Sequence, residues 1–201
     1  GTHGKTTTCS LLAHILNETN QDPSFFIGGV PQNFPRGFRL GKGKVFILEG
    51  DEYDTAFFDK GPKFLHYKPE FLILNNCEFD HADIYENVEA IEVRFKELIA
   101  LAKHPKSIIA NMDDAGINRI ITSLGIEDAV TTVATKGEYK DCDFSVLSYK
   151  AEANGAADQT WKAKLKTKLW GDLEISTSLS GRHNLANICQ VVACLSSMIE
   201  R

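Results

Sequence analysis

The chain has 201 residues, enough for one sizeable α/β domain with its own core. Its 27 acidic and 22 basic side chains give a net charge of −5 and a pI near 5.7, which argues against a nucleic-acid binder with its usual basic patch. No apolar run approaches the ~20 residues of a membrane span, and no signal peptide is evident. The scattered cysteines (Cys9, Cys77, Cys142, Cys189, Cys194) have no CxxC spacing and read as reduced, buried thiols of a cytoplasmic protein, not as a disulfide frame or zinc site.

The chain opens GTHGKTTTCSLLAHIL. Gly1, Thr2, His3 and Gly4 make a small flexible loop, and Lys5, Thr6 and Thr7 start a stretch with an apolar face at Leu11, Leu12, Ile15 and Leu16. Glycines let several N–H groups converge on phosphate oxygens, and the helix that follows adds its positive end. Lys5 is then placed to reach the β- and γ-phosphates, and the Thr6 hydroxyl to ligate Mg²⁺. A Gly/Thr-rich cap on an ordinary amphipathic helix is the alternative. The full pattern G-x-x-x-x-G-K-S/T would need a glycine ahead of Gly1, and the buried strand that anchors such loops would also lie upstream. The expectation is a central piece of a longer protein.

The helix is expected over Lys5 to Glu18, followed by a short strand at FFIGG and a Gly/Pro-rich loop through Gly43. KVFILEG and EFLILNN are short continuous apolar runs, the pattern of strands buried on both faces of a parallel sheet. Asn87 to Ala102 predicts a helix with Val88, Ile91, Phe95, Leu98 and Ile99 inward. KSIIANMDD predicts a strand ending in acids, then come a helix to about Leu124 and a strand at AVTTVAT. This βαβ alternation implies an α/β fold: a P-loop-type, mainly parallel sheet with helices on both faces.

After Lys140 the pattern changes. In TWKAKLKTKLW, Trp161, Ala163, Leu165, Thr167 and Leu169 alternate with four lysines, and LEISTSL alternates likewise, with Gly171-Asp172 between them as the hairpin turn. A small antiparallel unit is expected there, its lysine stripe an ordinary solvated face more than an anion site. SGRHNLANICQVVACLSSMIE closes the chain as a helix, and no internal domain boundary is evident.

Two acidic motifs fall where ligands of parallel sheets bind, outside the carboxyl ends of strands. EGDEYD, from Glu49 to Asp54, follows KVFILE, and NNCEFDHAD, from Asn75 to Asp83, follows EFLIL. A carboxylate at such an edge can hold the Mg²⁺ that bridges ATP phosphates, since hard cations prefer oxygen ligands. Each motif alone also fits a solvated loop. Together they bring Lys5/Thr6, Glu49 and Asp80/His81 to one edge.

GTHGKTTT, EGDEYD, NNCEFDHAD, NMDD and GRHNLAN stand here in the order seen in the central ATPase domain of the Mur ligase family, and the resemblance spans essentially the whole chain. It implies an ATP-dependent amide ligase in which a substrate carboxylate attacks the γ-phosphate and an amine then displaces phosphate from the acyl phosphate. By this resemblance Lys5 contacts the phosphates, and Thr6 and Glu49 hold the first Mg²⁺. His81 helps bind a second ion near the carboxylate, and Asn184 and Asn187 contact the adenine. Asn184 read alone is also a helix cap, and His81 a core histidine.

Some family members carry a carbamylated lysine after the DH motif; here that region offers Glu92, with Lys96 displaced. EGDEYDTAFFDK and LILNNCEFDHADIY look most like the members that join L-Ala-γ-D-Glu-meso-diaminopimelate to UDP-N-acetylmuramate in cell-wall recycling. The alanine-adding sibling, a folylpolyglutamate synthase and a non-catalytic P-loop module are the alternatives. The amine contacts are expected from flanking domains, so the chain alone is expected not to ligate.

Overall fold

The computed structural model describes residues 3–51, 53–56, 59–78, 87–136, 141–153 and 159–200. Helix α1 (Lys5–Glu18) leads to strands β1 (Ser24–Phe26), β2 (Phe38–Arg39) and β3 (Phe46–Leu48). A short pair, β4 (Asp54–Ala56) and β5 (Asp59–Pro62), precedes β6 (Leu72–Leu74) and α2 (Val88–Leu101). Then come β7 (Ile108–Asn111), α3 (Ala115–Leu124), β8 (Thr131–Ala134), β9 (Phe144–Ala153), β10 (Gln159–Thr167), β11 (Gly171–Thr177) and α4 (Arg182–Ile199).

The larger sheet has six strands in the order β11-β10-β9-β8-β7-β6. Strands β6 to β9 pair in parallel and β9 to β11 antiparallel, as the change of pattern after Lys140 predicts. Strand β1 pairs in parallel with β3 and antiparallel with β2 in a separate three-stranded sheet.

Helices cover both faces of the larger sheet, and strand alternation sorts the side chains between them. On β7, Ile109 joins Leu12, Leu16, Leu185 and Val191 in one core beneath α1 and α4. Its neighbours Ile108 and Ala110 face the other way, into a core with Ile91, Phe95, Ile117 and Ile121 from α2 and α3. The α1–α4 core also takes Phe25 and Ile47, so it ties the small sheet to the large one.

Local chemistry sets the helix ends. Asn87 caps α2 by accepting from the Ala90 N–H, and Asp114 caps α3 by accepting from the Ile117 N–H. Gly125 closes α3 in the left-handed conformation.

Two details differ from expectation. The β10–β11 turn is residues 168–170, not Gly171-Asp172: Thr167 pairs with Gly171, and Lys166 with Asp172. The Thr167 hydroxyl accepts from the Trp170 N–H and donates to the Gly171 carbonyl, and Gly171 takes φ +66° to complete a three-residue loop. Leu169, which the alternation grouped with Trp161, Ala163, Leu165 and Thr167, is therefore 42% exposed at the tip. The lysine stripe is solvated as read, with Lys162 paired to Glu152, Lys164 to Asp172 and Lys168 to Asp143.

Among the described residues, no helix is long and apolar enough to cross a membrane. All five cysteines are free; four are buried and Cys9 is half-buried.

Candidate functional site

The start of α1 is held between strand ends from both sheets. Gly4 precedes the helix at φ +80° and ψ −5°, a conformation open mainly to glycine. A Cβ there would stand 2.5 Å from Asn187 Oδ1 and 2.8 Å from Asn75 Nδ2. So the loop, the end of β6 and the first turns of α4 meet at one point that admits no side chain.

Asn75 and Asn76 fix the loop backbone. The Asn75 amide donates to the His3 carbonyl at 3.3 Å and to Thr8 Oγ1 at 3.1 Å, while His3 N–H donates to Asn76 Oδ1 at 3.3 Å. Asn111, at the end of β7, donates to the Asn75 carbonyl at 2.8 Å. The N-cap residue is Gly4, which has no side chain to cap the helix, and a helix N-terminus is a place where backbone N–H groups and the dipole favour an anion.

On the other side of the loop, Thr6 Oγ1 donates to Glu49 Oε1 at 2.9 Å and lies 3.2 Å from Oε2. Glu49 Oε2 also accepts from the Gly28 N–H at 2.8 Å, which links the ends of β1 and β3. The two expected Mg²⁺ ligands, far apart in sequence, are thus in contact. Both offer hard oxygens, and Mg²⁺ typically takes one or two protein oxygens and completes its shell with phosphate and water. The donor set fits that ion. Among the described residues no group of three His, Cys, Asp or Glu could hold a metal by itself.

Charges around the loop are ordered. Asp51 pairs with Lys63 at 2.9 Å and accepts from the Tyr53 N–H. Burial pushes its carboxyl up, but the Tyr53 N–H, the Lys63 ammonium and the nearby Lys5 charge outweigh burial and hold it below the usual range. Burial, reinforced by the Glu49 carboxylate, raises the Cys9 thiol to about 12, so Cys9 is no nucleophile.

Beside Gly4 opens a cavity of about 520 Å³, within the usual size of a small-ligand site. Its wall is built from His3 and Gly4, the ends of β6, β7 and β8, and the first turns of α4. Asp113 braces it: its Oδ2 accepts from the Thr135 N–H at 2.5 Å and the Thr135 hydroxyl at 2.8 Å. Asn187 is buried in this wall; Asn184 is not part of it. The cap reading of Asn184 fails, because α4 begins at Arg182 with Gly181 as its N-cap, and Asn184 donates back to the Ser180 carbonyl.

The structure therefore brings His3, Gly4, Lys5, Thr6, half-buried Thr7, Glu49 and Asn187 around one loop. Gly1, Thr2, Asp80 and His81 lie outside the described residues. Glu92, at the position considered for a metal bridge, is engaged by Arg119 at 2.8 Å. Sequence reasoning did not single out Asn75, Thr135 or Gln190 as cavity residues. The strand-end rule that marks Glu49 would also have marked Thr135, just past β8.

Comparison with known proteins agrees with this arrangement. The Mur ligase middle domain family matches residues 1–195. The UDP-N-acetylmuramate–L-alanyl-γ-D-glutamyl-meso-2,6-diaminoheptandioate ligase of Escherichia coli is 37% identical over 96% of this chain and 39% of its own length. The chain thus spans well under half of that relative. The crystal structure of UDP-N-acetylmuramate:L-alanyl-γ-D-glutamyl-meso-diaminopimelate ligase from Neisseria meningitides superposes with a TM-score of 0.79 at 35% identity, covering 98% of this chain and 60% of that one. At 16% identity and a TM-score of 0.66, the MurF ligase from Thermotoga maritima in complex with ADP shares the fold over 100% of this chain and 44% of its own. With the family match covering nearly its whole length, the chain belongs to the Mur ligase middle-domain family.

Proposed function

We propose that this chain is the central ATP-binding part of an ATP-dependent peptide ligase that joins UDP-N-acetylmuramate to L-Ala-γ-D-Glu-meso-diaminopimelate in cytoplasmic peptidoglycan recycling. The observation that carries the proposal is the Thr6–Glu49 contact at 2.9 Å beside a glycine loop that opens onto a nucleotide-sized cavity. The names of the relatives support the choice of substrates.

A carboxylate is a poor acylating agent, so the lactyl carboxylate of UDP-N-acetylmuramate takes the γ-phosphoryl group of ATP and ADP leaves. The tripeptide amine then attacks the acyl phosphate; the C–N bond forms, phosphate departs and the amine loses a proton. The first step brings two anions together, and the protein must position them and offset their repulsion. Lys5 and the α1 N–H groups face the phosphates, and Thr6 and Glu49 hold the Mg²⁺, which supplies charge neutralisation. His81 assists a second ion. Asn187 lines the base cavity, and Asn184 stands at the start of the same helix. The amine-binding groups belong to parts of the intact protein beyond this domain.

The test is to incubate the intact protein with Mg-ATP, UDP-N-acetylmuramate and either L-alanine or the tripeptide, and to follow ADP and product by mass spectrometry. UDP-muramyl tripeptide is the expected product. A strong preference for free L-alanine would overturn the substrate assignment, and no ADP with either amine would overturn the ligase.

A further inference from the structure

The three-stranded sheet is buried on one face and open on the other. Phe25 and Ile47 enter the α1–α4 core, and strand alternation sends their neighbours to the opposite face. There Phe26 stands beside Phe38 of β2 and Leu48 of β3, with Phe46 two residues before Leu48. Phe26, Phe38 and Phe46 are 58%, 56% and 60% exposed, and Leu40, just past β2, is 88% exposed. The larger sheet, by contrast, has helices on both faces. At about 200 Å² per phenylalanine, the three rings leave on the order of 350 Å² of apolar surface open to water, a size that marks an interaction site.

The charge around this face is one-sided. Residues 23–48 carry Arg36, Arg39, Lys42 and Lys44 and no acidic side chain, in a chain whose net charge is −5. Arg39 is engaged on the buried side by Asp22 and Asn17. Arg36, with its guanidinium 5.7 Å from the centre of the Phe38 ring, and exposed Lys42 and Lys44 each stand two residues from an exposed apolar side chain. A complementary surface therefore presents apolar side chains to the rings and carboxylates to the three cations. Two copies of this face would set like charges against each other.

The occupant is found in the rest of the intact protein, since the chain spans well under half the length of its Escherichia coli relative. Thr6 contacts Glu49 at the end of β3, and Glu49 accepts from Gly28 just past β1, so the phosphate loop adjoins the small sheet. The far end of α4 lies elsewhere: Ser197 donates to the Lys106 carbonyl, ahead of β7 in the larger sheet. Chain leading into the loop thus has the shorter reach to the open face. A face whose edges are not involved is covered by a helix laid across it, as α1 covers the other side.

We propose that the open face of the small sheet docks an amphipathic helix from the stretch of the intact protein that leads into the phosphate loop. Its apolar side packs on Phe26, Phe38 and Phe46, and its acidic residues meet Arg36, Lys42 and Lys44. The inference does not depend on the ATP reading above. Docking there braces β3, whose end carries Glu49.

The experiment places a photoreactive benzophenone analogue of phenylalanine at position 46 of the intact protein and, in separate samples, at positions 40 and 169. Adducts are mapped by mass spectrometry, and thermal midpoints confirm folding; Leu40, the most exposed of the four, is the second position should a label at 46 disturb the fold. Positions 46 and 40 should cross-link within the same molecule to a peptide preceding the loop, with a yield unchanged by about 100-fold dilution. Position 169, at the β10–β11 tip, should not reach that peptide. Adducts to a second molecule that vanish on dilution would overturn the proposal in favour of self-association. Adducts to a peptide following α4 would overturn the choice of segment. Folded protein giving no protein adduct from either position would show the face open to solvent or to a lipid surface, and would overturn the docking itself.

Discussion

Glu49 serves two neighbours at once: the Thr6 hydroxyl at 2.9 Å and the Gly28 N–H at 2.8 Å. A glutamine there keeps an oxygen for the Gly28 N–H but loses the charge that a divalent ion needs. Glu49→Gln should therefore cut ligation by about 10²–10³-fold while changing stability by about 0.5 kcal/mol or less, because the contact is exposed. Lys5→Ala should behave alike if Lys5 contacts the phosphates as proposed. Steady-state rates and thermal unfolding of the intact protein check both variants; near-wild-type turnover would remove these residues from the site. That Lys5, Thr6 and Glu49 meet at one loop was legible in the sequence, because the motif and the strand-end position mark that edge in one dimension. That Gln190 lines the cavity was not. An apolar-periodic helix with one glutamine on its buried face gives no sign that a cavity opens beside it.

At the level of elements, helix limits were readable because caps are local: Asn87, Asp114 and Gly125 stop or start their helices with side chains or φ values of their own. Strand β9 escaped notice for a physical reason. Its partner register shifts between Lys164 and Leu165, so Val146 faces Leu165, Ser148 faces Lys164, and Leu147 is the extra residue, 51% exposed. The bulge changes the phase of inward and outward side chains, and a period-two template fails across it.

Asp143 fastens this strand to the parallel sheet. Its Oδ2 accepts from the Thr132 N–H at 2.9 Å and the Thr132 hydroxyl at 3.1 Å, and Lys168 lies 3.1 Å from Oδ1. Burial pushes this carboxyl up, but the Thr132 N–H and Lys168 prevail and hold it below the usual range. A depressed folded pKa means the stabilisation is present above the unfolded value near 4 and is lost as pH falls through the folded one. Asp143→Ala should cost about 1–3 kcal/mol at pH 7, since the Thr132 N–H loses its acceptor. The cost should shrink as pH drops below about 4. Urea unfolding at pH 7 and pH 3 measures both; a deficit that does not change with pH would mean the charge is irrelevant.

The molecule is organised around the point where its three-stranded and six-stranded sheets meet α1. The alternation of strands and helices foretold a mainly parallel α/β fold, yet not that β1 and β3 pair in a sheet of their own, with the α1–α4 core as the tie. Pairing between distant strands leaves no local trace, and apolar runs look alike wherever they dock. The cavity depends on the same long-range assembly: its wall draws on residues 3–4, 75–78, 111–114, 135–136 and 182–190. A ligand bound there holds five distant segments together and so opposes every unfolding step that separates them. At a nucleotide concentration of 100 times Kd the linkage is about 2.7 kcal/mol, or roughly 5–10 °C in midpoint for a domain of this size. A non-hydrolysable ATP analogue with Mg²⁺ should give a shift of that order in the domain's transition. Hydrogen exchange should slow together at the ends of β6, β7 and β8 and in the first turns of α4, with the outer strand β11 unaffected. Protection confined to the first turn of α1 would mean that the phosphates bind while the base does not enter the cavity.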